Sequence, residues 1–341
     1  MPHSNINPHL EKIINKSAEY SAEELVKGIL KGDRVKLSKS ISLIENSRPE
    51  SQEKAEKIIH QILPYTGNSY RLAISGVPGV GKSTFINAFG RFLVKKGYKI
   101  AVLAIDPSSQ ISKGSILGDK YRMPDIAGSK EVFIRPSANA GVLGGVAAKT
   151  REVILLCEAA GYNIIIVETI GVGQSEIKAS SMTDFFMLLM ASGTGDQLQG
   201  IKRGIMEVAD MLVFTKYDGI NKKQIDYEIR QFKNAINLFP PKPSEWKPDV
   251  MPVSAVENIG IETLWQKITD YFSLVKKNGF LLKNRQKQRI IWFYEIIDFL
   301  VKNRLQTKMK TQLQQIEKQI MHNKIYPYQA AYEIMEKIFR K

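Results

Sequence analysis

The sequence predicts an α/β protein. A mostly parallel central sheet is flanked by helices, with further helices ahead of it and a helical arm behind it. Three observations predict this. Residues 70–254 alternate short apolar runs with segments of helical spacing, the pattern of a parallel sheet covered on both faces. Within that region an apolar strand, Leu72-Ala73-Ile74, leads into Gly76-Val77-Pro78-Gly79-Val80-Gly81-Lys82-Ser83. Phe85, Phe89, Phe92 and Leu93 then recur at helical spacing until Gly97. Beyond residue 258 the alternation stops and the chain reads as helices.

The octapeptide 76–83 reads G-x-x-x-x-G-K-S between a strand and a helix, which is the P-loop arrangement. Its chemistry is phosphate binding. Glycines let backbone N–H groups turn around an anion with no Cβ in the way. The helix that begins near Gly81 points the positive end of its dipole at the same place. Lys82 supplies a charge for β- and γ-phosphates, and Ser83, followed by Thr84, offers a hydroxyl to Mg²⁺. Residues 76–84 are therefore nucleotide-contacting candidates, and the predicted fold class is a P-loop NTPase.

Composition narrows the remaining classes. A chain of 341 residues with 43% hydrophobic content holds one large α/β domain plus helical additions. The longest apolar runs, Ile164–Val167 and Phe185–Ala191, have the length of buried strands and cannot span a bilayer. The N-terminus has neither a secretory n-region and apolar core nor the Arg-rich character of a transit peptide. The single cysteine, Cys157, rules out an intramolecular disulfide and suits a reducing cytoplasm. Net charge is +15, and residues 276–310 carry ten Lys or Arg against Glu295 and Asp298. With no nucleic-acid module visible, this run reads as a solvated helix face or a surface for an acidic protein partner, and no nucleic-acid or membrane partner is expected.

Taken in order, residues 10–63 read as helices, with Ser21 and Glu24 forming a capping-box pattern. Leu37, Ile41 and Ile44 share one helix face, Ala55, Ile58, Ile59 and Ile62 share another, and Pro49 separates the two helices. The expected division is a helical segment 1–66, a nucleotide domain 67–278 and an arm 279–341. Strands are expected near 70–75, 99–105, 131–134, 163–168, 184–190, 211–215 and 250–253.

Ligands of open α/β sheets sit beyond the carboxyl ends of the strands, so the residues that follow each strand are the candidates. Asp106 opens Asp-Pro-Ser-Ser after the second strand and reads as a Mg²⁺ holder or as a turn former with Pro107. Asp119 lies in the polar, Gly-containing stretch 112–120, a carboxylate candidate or a solvated loop acid. Glu168 closes the apolar strand Asn163–Val167 in the Walker B position, where a carboxylate holds a water of the Mg²⁺ shell or positions the attacking water. Gly171 permits close backbone approach to a γ-phosphate, and Gln174 reads equally as a water-orienting or a loop-stabilising amide.

Thr215-Lys216-Tyr217-Asp218 resembles the N-K-x-D base-reading motif. There the Asp accepts from the ring N–H and exocyclic amine of guanine, and the Lys stem packs on the base. Adenine offers no such pair of donors, so Asp218 would be left unpaired against it. Ser254-Ala255-Val256 matches the Ser-Ala element that backs the base. Together these motifs favour GTP over ATP. Thr215 replaces the usual Asn and so lacks the amide that ties the base loop to the P-loop, from which reduced base affinity is expected.

After residue 258, Leu264, Ile268 and Phe272 line one helix face. Residues 285–320 read as one long charged helix with aromatic residues at Trp292, Phe293 and Tyr294, and a last helix spans 325–341. Such an arm rarely buries its apolar face alone, and a homodimer is expected through it.

The combination of 76–84, Asp-Pro-Ser-Ser (106–109), Ser-Ile-Leu-Gly-Asp-Lys (115–120), Glu-Thr-Ile-Gly-Val-Gly-Gln-Ser-Glu (168–176) and Gly-Thr-Gly-Asp-Gln-Leu-Gln-Gly-Ile-Lys (193–202) resembles the MeaB/ArgK-like GTPases. These are chaperones of methylmalonyl-CoA mutase and related adenosylcobalamin-dependent mutases. The resemblance covers most of the chain. It implies a homodimeric, Mg²⁺-dependent GTPase, binding GTP and GDP, that docks on an acyl-CoA mutase, gates cofactor loading and protects or reactivates the mutase. It further implies slow intrinsic hydrolysis that the mutase stimulates. Carried over by position, Lys82 holds phosphate, Ser83 holds Mg²⁺, and Asp106, Asp119 and Glu168 are metal and switch acids. Asp218 reads guanine, and Gln199 and Lys202 belong to a third switch facing the mutase. Besides a purely nucleotide-gated scaffold, which would need Glu168 and Asp119 to be dispensable, two other readings attach to such sequences. One is an ATPase or kinase of basic amino-acid transport. The other is a metal-inserting GTPase, against which stand four scattered histidines and one cysteine. No D-x-H-x-x-G motif is present, so cobalamin is not expected to touch this chain.

Overall fold

In a computed structural model the structure describes residues 20–46, 48–105, 123–135, 145–169, 174–192, 203–218 and 221–339. Three helices come first: α1 (Ala22–Leu30), α2 (Arg34–Glu45) and α3 (Pro49–Ile62). Their starts follow from the local sequence. Ser21 and Glu24 close a reciprocal capping box on α1, the Asp33 side chain accepts from Val35 and Lys36 N–H at the start of α2, and Pro49 occupies the first turn of α3.

The central sheet contains β1 (Tyr70–Gly76), β2 (Ile100–Ile105), β3 (Val132–Arg135), β4 (Ile164–Thr169), β5 (Phe185–Met190), β6 (Met211–Phe214) and β7 (Asp249–Pro252). Their order is β3-β2-β4-β1-β5-β6-β7, and every neighbouring pair is parallel. Each expected strand is present within about a residue of its predicted bounds. The crossovers include α4 (Lys82–Lys95), the short α5 (Pro124–Ala127), α6 (Gly145–Ala159), α7 (Gln174–Ser180), α8 (Arg203–Val208) and α9 (Lys222–Ile236).

The period-2 alternation of a strand divides its apolar residues between two cores. Ala73, Leu103, Val167, Leu188 and Phe214 join a cluster with α1, α2, α3, α6 and α9. Leu72, Ile74, Val102, Ile166, Leu189 and Val213 join the other, with Phe85, Phe89 and Leu93 of α4 and Leu264, Ile268 and Phe272 of α10 (Ile261–Lys277). The N-terminal helices are thus part of the sheet's own hydrophobic core. Cys157 of α6 is fully buried there, and burial pushes its thiol well above the usual range.

The chain divides into two compact units, Met1–Gln288 and Arg289–Lys341. Helix α11 (Phe280–Lys308) begins in the first. In the second follow α12 (Lys310–Met321) and α13 (Pro327–Phe339). The single helix expected over 285–320 is therefore two. Met309, at φ −118 and ψ 19, leaves helical geometry between them. In the second unit Ile290, Phe293, Tyr294 and Leu300 are all more than half exposed. No described helix is long and apolar enough to cross a membrane.

Arg285, counted in sequence within a solvated basic run, is buried in the first unit. Its guanidinium donates to both oxygens of Asp184, at 2.8 and 2.6 Å, and to the carbonyls of Ser69 and Gly67. Beside it Arg71 makes a two-pronged pair with Glu158 at 2.8 and 2.9 Å. Burial works to raise the Glu158 pKa. The Arg71 charge and donors from Arg71, Ser69 and Gly67 outweigh it and hold the carboxyl below its usual range. This network sits at the amino-terminal ends of β1 and β5.

Candidate nucleotide site

Strand β1 lies between β4 and β5, so the loop that leaves its carboxyl end opens at the point where connections diverge to the two sides of the sheet. Gly76 ends β1 with φ +153, and a Cβ there would meet the Leu189 carbonyl at 2.6 Å, so no side chain fits. Val80 folds back into the core at 1% exposure, while Pro78 and Gly79 stay exposed. Gly81, at φ +96, is the N-cap of α4, and its left-handed backbone turns the loop into the helix. The helix therefore starts with Lys82 and Ser83 in its first turn, at its positive end.

Lys82 Nζ donates to the carbonyls of Gly76 at 2.6 Å and Val77 at 3.2 Å, holding its ammonium within the loop. Burial lowers its pKa, against the opposing pull of Glu168 and Glu176. Strand β4 is in register with β1, pairing Ile74 with Glu168. This brings Glu168, 7% exposed, beside the loop, where the Ser83 hydroxyl donates to its Oε1 at a long 3.5 Å. One residue on, the Thr169 hydroxyl donates to Ser75 Oγ at 2.8 Å, fastening the two strand ends. Thr84 is exposed.

The candidate base side is built from the ends of β6 and β7. Lys216 adopts φ +59, and its Nζ donates to the Gly79 carbonyl at 2.9 Å, so its stem crosses the loop. The Ser254 hydroxyl donates to Asp218 Oδ2 at 2.8 Å while accepting from Glu257 N–H at 3.0 Å. Tyr217 N–H donates to the Val253 carbonyl, and Val253 N–H to that of Phe214. Asp218 is thus aimed by a hydroxyl that is itself fixed by backbone. Ala255 is packed against the core, whereas Val256 is 75% exposed.

Thr215 corrects an expectation. Without the asparagine amide, the sequence predicts a base segment not tied to the P-loop. Instead the Thr215 hydroxyl, 5% exposed, makes the tie, lying 2.6 Å from the Val80 carbonyl and 3.1 Å from that of Met190. A threonine suffices because Val80 O and the end of β5 come within reach of a short side chain.

The structure thus brings together Gly76–Ser83, Glu168, Lys216, Asp218 and Ser254. Asp106, Asp119, Gly171, Gln199 and Lys202 lie outside the described residues. Sequence reasoning missed the roles of Ser75 and Thr169, which carry no motif, and the tie made by Thr215. Among the described residues no group of three or more His, Cys, Asp or Glu is placed to hold a metal.

Comparison with known proteins places the chain among relatives. The family profile described as "Methylmalonyl Co-A mutase-associated GTPase MeaB" matches residues 37–312. GTPase ArgK of Escherichia coli (strain K12) is 42% identical over 84% of this chain and 87% of its own length. The mouse methylmalonic aciduria type A homolog, mitochondrial, is 35% identical over 98% of this chain and 83% of its own. Among solved structures, that of a LAO/AO transport system kinase superposes with a TM-score of 0.74 at 34% identity, covering 94% of this chain and 98% of that one.

Proposed function

We propose that this chain, which belongs to the MeaB family of GTPases, serves as a Mg²⁺-dependent GTPase chaperone of an adenosylcobalamin-dependent acyl-CoA mutase of the methylmalonyl-CoA type. In this role it gates cofactor loading and protects or reactivates the mutase. The observation that carries the reading is the family match over residues 37–312, which spans the P-loop, Glu168 and the base segment together. The mouse relative's name, a methylmalonic aciduria type A homolog, supports it.

Within this reading each side chain has a task. Lys82 exchanges its two loop carbonyls for the β- and γ-phosphate oxygens. Ser83 and Glu168 present a hydroxyl and a carboxylate side by side next to the phosphate loop. These are hard oxygen donors of the kind Mg²⁺ takes when phosphates and waters complete its shell. When bound, Mg²⁺ neutralises charge on the phosphate oxygens. Asp106 and Asp119 are further acidic candidates, and Gln199 and Lys202 the candidates that face the mutase. Asp218, held by Ser254, accepts from guanine, with Lys216 along the base and Ala255 and Val256 behind it. The segment 279–341 is the dimerisation arm, supported by the exposure of Ile290, Phe293, Tyr294 and Leu300. The remaining division is a helical segment 1–66 and a GTPase domain 67–278.

The test is hydrolysis by the purified protein with Mg²⁺, with and without an adenosylcobalamin-dependent mutase, against an ATP control. The expected result is GTP-selective turnover that rises when the mutase is added. Turnover indifferent to the mutase removes the chaperone role. Equal turnover of ATP supports the transport-kinase reading, the activity for which the 34% identical structure is named.

A further inference from the structure

A cavity of about 680 Å³ lies on the N-terminal helices, formed by Tyr20 with residues of α1, α2 and α3. Its volume falls within the range that takes a small organic ligand. Its charge is one-sided. Arg34, Lys39 and Lys54 line it together with Ser38 and Ser42, and among the described residues no carboxylate does. Lys36 adds a fourth cation at its edge, since Lys36 and Lys39 both stand over the Tyr20 ring, 5.5 and 4.4 Å from its centre.

Three carboxylates near these residues in sequence are committed elsewhere. Asp33 caps α2, Glu45 pairs with Arg135, and Glu53 pairs with Lys57. Among the described residues, Arg34, Lys36, Lys39 and Lys54 have no carboxylate partner within ion-pair distance. Two of the cations are nevertheless held in place. Arg34 Nη1 donates to the Ser129 carbonyl at 3.1 Å, and Lys54 Nζ donates to that of Tyr20. Lys39 and Lys54 are half-buried. Four like charges gathered around one concavity repel one another, and a bound anion relieves that repulsion. A flat basic surface would leave each lysine to water. Here the walls exclude part of that water, and the apolar sides of Leu25, Val35 and Leu43 offer contact to the uncharged part of a ligand.

We propose that this cavity is a second anion site, distinct from the P-loop, that binds a phosphorylated small organic molecule. Its phosphate lies among Arg34, Lys39 and Lys54, and its body lies against Leu25 and Leu43. The proposal does not depend on the mutase reading, because it rests only on the N-terminal helices.

The experiment is calorimetric titration of the full-length protein, saturated with GDP so that the P-loop is filled, with adenosine 3′,5′-bisphosphate as probe. The expected result is saturable binding that weakens by about tenfold or more in the double variant Lys39→Ala/Lys54→Ala, as loss of charge-assisted hydrogen bonds requires. Ser42→Trp, which fills the cavity from its exposed rim and leaves every cation in place, is expected to abolish binding. GTP hydrolysis by both variants is expected to stay at the wild-type rate, which certifies their fold. Absence of saturable binding at millimolar probe overturns the proposal. So does binding that both variants leave unchanged, or binding that weakens as the GDP concentration is raised, since that places the probe in the P-loop.

Discussion

Replacing Thr215 by valine keeps nearly the same shape and removes one hydroxyl from a site that is 5% exposed. Two carbonyls lie within reach of that hydroxyl, but they are not equivalent. Met190 O also accepts from Thr215 N–H at 2.9 Å and keeps that bond. Val80 O loses the side-chain donor 2.6 Å away. Leaving a buried carbonyl unpaired costs about 1–3 kcal/mol. For a unit of this size each ~1 kcal/mol lowers Tm by roughly 2–4 °C. The consequence for function is separable from the loss of stability, because Val80 stands in the phosphate loop and Thr215 opens the base segment. Thr215→Val is expected to weaken GDP binding by about tenfold, or ~1.4 kcal/mol, measured by fluorescent-nucleotide titration beside a thermal melt. Thr215→Asn is expected to bind GDP within about threefold of wild type, because the tie is already made. Unchanged GDP affinity and Tm in the valine variant would refute the reasoning, as would an asparagine variant that binds more than about tenfold tighter.

Three further outcomes are expected. Asp218→Asn replaces the proposed guanine acceptor with an amide, and should lower the preference for GTP over ATP by about 100-fold in competition binding. An unchanged preference would place base reading elsewhere. Arg285→Ala strips the buried Asp184 of its partner and should destabilise the protein by about 3–5 kcal/mol in urea unfolding. A loss below about 1 kcal/mol would mean that water reaches Asp184. Glu158 has a folded pKa below its unfolded value near 4.5, so its contribution is present above that value and is lost as pH falls through the lower, folded one. Stability measured from pH 5 downward should therefore fall more steeply for wild type than for Glu158→Gln, and parallel curves would contradict the assignment.

Much of the fold was legible because its signals are local. Strands buried on both faces read as short continuous apolar runs, so Ile164–Thr169 and Phe185–Met190 announce themselves. The P-loop is legible because its glycines and Lys82-Ser83 stand at a fixed spacing within eight residues, although the contact that bars a side chain at Gly76 comes from Leu189. The base segment was legible as a pattern, but its energetics were not. Whether Thr215 ties the P-loop depends on where Val80 O lies, which is decided by β1, β5 and β6 meeting as neighbours. The same holds for Arg285. In sequence it is one cation in a basic run, and only the start of α11 lying against β1 and β5 buries it on Asp184. The N-terminal cavity carries no motif at all, since its cations come from two helices, Arg34 and Lys39 from α2 and Lys54 from α3, brought together by packing. By itself the sequence determined the parallel sheet, the phosphate loop and the residue types that chemistry at that loop requires, because these follow from periodicity and from contacts a few residues apart. The tertiary structure decided which hydroxyl ties the site, which arginine is buried and where unpaired charge collects. Those depend on distances between elements far apart in the chain, and no local pattern encodes them.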